Sequence, residues 1–119
     1  MEISVRGRDE VWTTDDYRLG LARCLHYRAP HEVNPDEQLY AVYLEVVNYE
    51  MGDAYYIPTD FLISPEPDTN RVTLNASMKD VMQRTWSREP DFVAMRLGRS
   101  ERLDEVRIGE RPAVPAAGS

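Results

Sequence analysis

The chain is poor in the residues on which several protein classes depend. One cysteine, Cys24, stands among 119 residues, so no intramolecular disulfide can form, and no CxxC pair or Cys/His cluster has the spacing of a structural zinc site. No apolar run approaches the roughly 18 residues of a membrane helix, and the opening MEISVRGRDE lacks the apolar centre of a secretion signal. Lysine occurs once, at Lys79, and the other basic residues are arginine, a bias of coding composition rather than a site. The six glycines are scattered, which leaves neither a Gly-rich phosphate loop nor a G-x-S-x-G nucleophile turn. Basic charge is outweighed: 21 acidic against 14 basic residues give a net charge of −7, which disfavours nucleic acid and anionic lipid as partners. The expectation is a cytoplasmic protein with no nucleic-acid partner, no membrane insertion and no cofactor.

What is present suffices for one core. Hydrophobic residues make up 42% and charged residues 29%, values of an ordinary folded domain rather than a disordered chain. The charge is uneven: residues 1–90 hold 16 acids and 9 bases, whereas residues 91–119 hold 5 of each. The last eight residues, PAVPAAGS, read as a frayed tail. The chain therefore divides into a domain over 1–90 and a C-terminal extension over 91–119, packed in part on the domain and flexible beyond.

Within the domain the dominant period is two, the signature of half-buried strands. Val11–Thr14 is a short β-branched and aromatic run ended by Asp15-Asp16, and Arg18–Arg28 fits an extended strand carrying Leu19, Leu21, Leu25 and Tyr27, with a bulge or bend near Gly20. A polar loop, Ala29–Glu37, follows. The strongest strand spans Gln38–Asn48, and Ala54–Ile57 returns after the turn at Met51-Gly52-Asp53. Pro58 must end or bend that strand, because it has no N–H to give a ladder. Pro65–Asn70 reads as a loop, Arg71–Asn75 as a last strand, and Ser77 with Asp80 as the capping box of a short helix to about Arg84. The fold expected is all-β: a small barrel or rolled sheet of about six strands with one short helix.

Three segments in this order resemble PRC-barrel-like domains. Asp9–Gly20 resembles the opening hairpin of that family, Tyr55-Tyr56-Ile57-Pro58-Thr59-Asp60-Phe61-Leu62 resembles its aromatic-Ile-Pro-x-x-apolar signature, and Arg71–Val81 resembles its final strand and the Ser-x-x-acid that follows. Trp86 and Glu89-Pro90-Asp91-Phe92 suit a small bacterial branch of the family, and the likeness covers about residues 7–92. It implies a small β-barrel that serves as a scaffold and interaction module, not a common enzymatic reaction. The chain departs from the family in its longer Ala29–Glu37 loop and in its continuation past the barrel. It also lacks the Tyr-Tyr opening of the ribosome-maturation relatives, so no ribosomal role carries over. Gly20, Pro58 and Asp60 are expected to act structurally, as a close-approach glycine, a strand end and a turn acceptor.

Chemistry-bearing residues are few. Cys24 and His26 share a face of an extended strand, and His31, with Glu32 as a fourth donor, could fold back towards them as a metal or small-ligand site. The paired acids Asp9-Glu10, Asp15-Asp16 and Asp36-Glu37 point to opposite sides of any strand and read as solvated turn residues. The main anomaly is apolar. Tyr40, Val42, Leu44 and Val46 form a core row, but the opposite row, marked as outer by Glu45, also carries Ala41, Tyr43, Val47 and Tyr49. Such a face calls for a cover. Either the chain supplies it, through Phe92, Val93, Met95 and Leu97 as a short helix with Leu103, Val106 and Ile108 beyond, or a partner or second copy docks on Tyr43 and Tyr49. The function expected is a non-enzymatic protein-interaction or assembly module in a bacterial cytoplasm, with a homodimer as one form. The alternative is a small-ligand or metal-binding protein using Cys24, His26 and His31.

Overall fold

The computed structural model describes residues 5–63 and 71–103. Seven strands form one sheet: β1 (Glu10–Trp12), β2 (Arg18–Tyr27), β3 (Val42–Asn48), β4 (Asp53–Pro58), β5 (Leu62–Ile63), β6 (Arg71–Leu74) and β7 (Arg99–Arg102). Two short helices, α1 (Met78–Gln83) and α2 (Asp91–Ala94), complete it. The hydrogen-bonded order is β4-β3-β2-β1-β6-β5, and β7 pairs with the second half of β2. Every pairing is antiparallel except β1 with β6. The strand-rich class matches the sequence reading; the seventh strand and the second helix go beyond it.

The sheet is curled, and connectivity requires it. β4 and β5 stand at opposite ends of the order, about 24 Å apart were six strands laid flat at ~4.8 Å spacing. Only Thr59–Phe61 join them, and that connection reaches at most about 15 Å. The concave side buries Val11, Leu44, Val46, Ile57, Val72, Leu74 and Val81, all at 0% exposure. Full burial of each such side chain favours folding by about 1.5–3 kcal/mol, which makes this cluster the principal stabilising unit.

Turn chemistry fixes the hairpins. Asn48 Oδ1 accepts from the amides of Glu50 and Met51, and Gly52 takes φ +79°, which closes the β3–β4 turn. Between β1 and β2, the Thr13 hydroxyl donates to Asp15 Oδ1 and accepts from the Tyr17 amide. Asp15 Oδ1 also accepts from the Met78 amide, pinning this turn to the start of α1. The hydrogen bond from Thr13 lowers the Asp15 carboxyl pKa below its ordinary value. Ser77 caps α1 with the expected reciprocal box: its Oγ accepts from the Asp80 amide, and the Asp80 carboxylate accepts from the Ser77 amide.

Gly20 lies in β2, Pro58 closes β4, and Asp60 lies in the turn that follows it. A Cβ on Gly20 would lie 2.4 Å from the Val47 carbonyl oxygen, so only glycine lets β2 lie this close to β3. Pro58 is fully buried as the last residue of β4. Asp60 is exposed in the one-turn 3₁₀ helix Thr59–Phe61, and its carboxylate accepts no hydrogen bond among the described residues. The strand expected over 38–48 begins only at Val42. Gln38 adopts a left-handed φ of 62° closing the 3₁₀ turn Pro35–Glu37, and Leu39 instead bridges back to Asn34. In β2 the inward row is Leu19, Ala22 and Leu25 rather than Leu19, Leu21, Leu25 and Tyr27. Register shifts leave Leu19 as an extra residue against β1 and Arg23 as an extra residue against β3.

The outer face of β3 is covered by the chain itself. Tyr43 is 6% exposed, packed with Tyr40, Tyr56 and Phe92 in a second aromatic cluster. The Phe92 ring lies 5.6 Å from that of Tyr43, and the Arg28 guanidinium lies 4.4 Å from the Phe92 ring centre. Val93 packs beside them, but Met95 and Leu97 are exposed, because Arg96 at φ 58° and Gly98 turn the chain into β7 after one helical turn. Leu103 is buried in the inner cluster. Val106 and Ile108, the Pro65–Asn70 loop and the PAVPAAGS tail lie outside the described residues.

Candidate functional site

Two cross-strand rows place the chemistry-bearing side chains on the outer face. Directly opposed residues of an antiparallel pair project to the same side. The register therefore aligns Arg102 of β7, Cys24 of β2, Glu45 of β3 and Tyr56 of β4 in one row, and Ser100, His26, Tyr43 and Pro58 in the next. The extra residue Arg23 is what sets Cys24 opposite Glu45.

His26 occupies the junction of these rows. It is 6% exposed, with Nε2 2.7 Å from Glu45 Oε1 and Nδ1 2.7 Å from Ser100 Oγ. An ionised carboxylate can only accept, so Nε2 carries the proton of the first bond. Glu45 Oε2 faces the Arg23 guanidinium at 3.6 Å. The hydrogen bond from His26 lowers the Glu45 carboxyl pKa below the usual range, against the opposing effect of burial. Burial, reinforced by the Glu45 charge, pushes the Cys24 thiol pKa up. Burial likewise raises Tyr56, whose phenol is pushed up to about 12. The shift opposes thiolate formation, which argues against Cys24 as an activated nucleophile.

Cys24 Sγ, His26 and Glu45 offer ligand atoms that all lie within 4.8 Å of one another. His31 is not among them. It stands 80% exposed in the 3₁₀ turn Pro30–Glu32, against its neighbour Glu32 at 3.8 Å. The shared face of Cys24 and His26 was legible in period two, but the third member is Glu45. Its signal was its charge in the middle of an apolar strand; Ser100 carried no signal, since β7 has no apolar alternation.

Of the four positions expected to form an interaction surface, Tyr43 is buried within the chain and Val47 is half-buried in the sheet, while Ala41 and Tyr49 are exposed. Ala41 borders an open groove of about 470 Å³, lined by Ala29, Pro30, Val33, Ala41, Val42 and Leu97, with Arg28 and Arg99 beside them. Leu97 contributes a half-exposed apolar side chain to its wall. No helix among the described residues is long and apolar enough to cross a membrane. Compared with protein-family models, curated proteins and solved structures, the chain finds no match.

Proposed function

We propose that this chain is a non-enzymatic protein-interaction module of the PRC-barrel-like kind, acting in a bacterial cytoplasm. The curled sheet, the close approach at Gly20, the strand end at Pro58 and the capped α1 support the barrel reading. The upward shift of the Cys24 thiol pKa and the hydrogen-bonded nitrogens of His26 support the non-enzymatic one.

The carrying observation is the groove between the Ala29–Glu37 loop, the start of β3 and Leu97. It is apolar at its walls and cationic at its margin, on a chain whose net charge is −7. Its complement is an apolar segment of a partner protein flanked by acidic residues. Two copies of so acidic a chain repel each other, which favours a different protein over a homodimer.

The test begins with partner capture from the native host and proceeds to binding of the purified partner. Leu97→Glu, at an exposed position, is expected to keep the circular dichroism of the parent and to weaken binding at least tenfold, the loss typical of a contact worth ~1.4 kcal/mol. Unchanged affinity in Leu97→Glu contradicts the proposal, as does the absence of any stoichiometric partner. A dimer by light scattering that Leu97→Glu dissociates would make the occupant a second copy.

A further inference from the structure

We infer that Cys24, His26 and Glu45 form a binding site for a divalent transition metal of zinc type, independent of the groove. Three different donor types converge here: a sulfur, an imidazole nitrogen and a carboxylate oxygen, all within 4.8 Å. They rise from the middle of two directly paired strands, so the backbone holds their relative positions to the tolerance of the sheet. A tetrahedral ion with bonds of about 2.0–2.3 Å sets its donors roughly 3.3–3.8 Å apart. The widest separation therefore closes by about 1 Å, and the 2.7 Å contact between His26 and Glu45 opens by somewhat less, both within reach of side-chain rotation.

The donor set selects the ion. Thiolate with imidazole and one carboxylate suits zinc or cobalt(II), and is wrong for calcium or magnesium, which take oxygen ligands. Thiolate and carboxylate together balance the charge of a divalent ion. Binding releases the thiol proton to solvent and shifts the imidazole proton from Nε2 to Nδ1, where it donates to Ser100 Oγ, so that the Nε2 lone pair meets the ion and a water is the fourth ligand.

The surroundings are built to orient those donors. Ser100 Oγ at Nδ1 fixes the imidazole plane and leaves Nε2 facing Glu45, the outer-shell contact that metal-bound histidines regularly make. Arg23 engages Glu45 Oε2 and so leaves Oε1 for the ion. Cys24 is only half-buried, which gives an approach from solvent. The charges of Arg23 and Arg102 act on the thiol, and the Tyr56 ring lies tilted against His26 with centroids 5.9 Å apart.

The test is titration of the full chain with zinc chloride and, for its spectrum, with cobalt(II). The expected result is one ion per chain, a raised thermal midpoint, and a near-ultraviolet thiolate-to-cobalt charge-transfer band. Cys24→Ser is expected to abolish the band and most of the thermal shift, and Glu45→Gln to weaken binding about tenfold or more. Ser100→Ala is expected to weaken it about tenfold through loss of the orienting bond. His31→Ala is expected to bind as the parent does. Cys24→Ser is a near-isosteric change at a half-exposed position, so its fold can be checked by circular dichroism before titration. An unchanged midpoint at saturating zinc overturns the inference, and so does an equal shift in Cys24→Ser. Either result would leave His26, Glu45 and Ser100 as a hydrogen-bonded structural cluster beside Cys24.

Discussion

Phe92→Ala is expected to lower folding stability by about 3–5 kcal/mol, the range for truncating a buried aromatic to alanine. Phe92 is 3% exposed although it belongs to a helix of only four residues. It is therefore the anchor by which the segment after Pro90 is held. Its ring meets Tyr43 and lies under the Arg28 guanidinium, whose Nε donates to the Tyr40 carbonyl. Removing the ring leaves a void on the outer face of β3 and releases Arg28 from its aromatic contact. Denaturant midpoints at unchanged m-value measure the effect. A loss below about 1 kcal/mol would mean that the second aromatic cluster is not cohesive.

Gly20→Ala is expected to cost about 2–4 kcal/mol, at the upper end of overpacking penalties. The added methyl would meet the Val47 carbonyl oxygen at 2.4 Å and the Asn48 nitrogen at 2.8 Å, both backbone atoms that cannot rotate away. Relief requires β2 and β3 to part, and these strands carry the inner core and both outer rows. Gly52→Ala is the control. Its φ of +79° disfavours alanine, but nothing lies within 4 Å of the added carbon. The cost there is conformational, about 1 kcal/mol. Equal losses in the two variants would show that close approach is not what reserves position 20 for glycine.

The contrast between these glycines shows what the sequence made legible and what it did not. The outward direction of Tyr43 and Glu45 followed from the alternation in β3, and so did the need for a cover over that face. The capping residues of α1 were readable because Ser77 and Asp80 act within one turn. Register was not readable. The extra residues Leu19 and Arg23 each advance the phase of β2 by one, so the row Leu19, Ala22, Leu25 steps by three instead of the two that marks a strand. Without register, nothing in the chain says that Glu45 rather than His31 faces Cys24. β7 escaped for a related reason. Arg99-Ser100-Glu101-Arg102 is wholly exposed and polar, and it is a strand only because β2 offers its backbone. The parallel pairing of β1 with β6 is likewise a long-range contact that no local pattern encodes.

The most direct measurement is the thermal unfolding and solution mass of the chain ended after Glu89. If residues 90–103 are part of the fold, that variant loses α2, β7 and Leu103 together and bares Tyr43 and Tyr56. It should then melt far below the full chain or self-associate through the uncovered aromatics. A monomer with the melting temperature of the full chain would contradict the account at its centre.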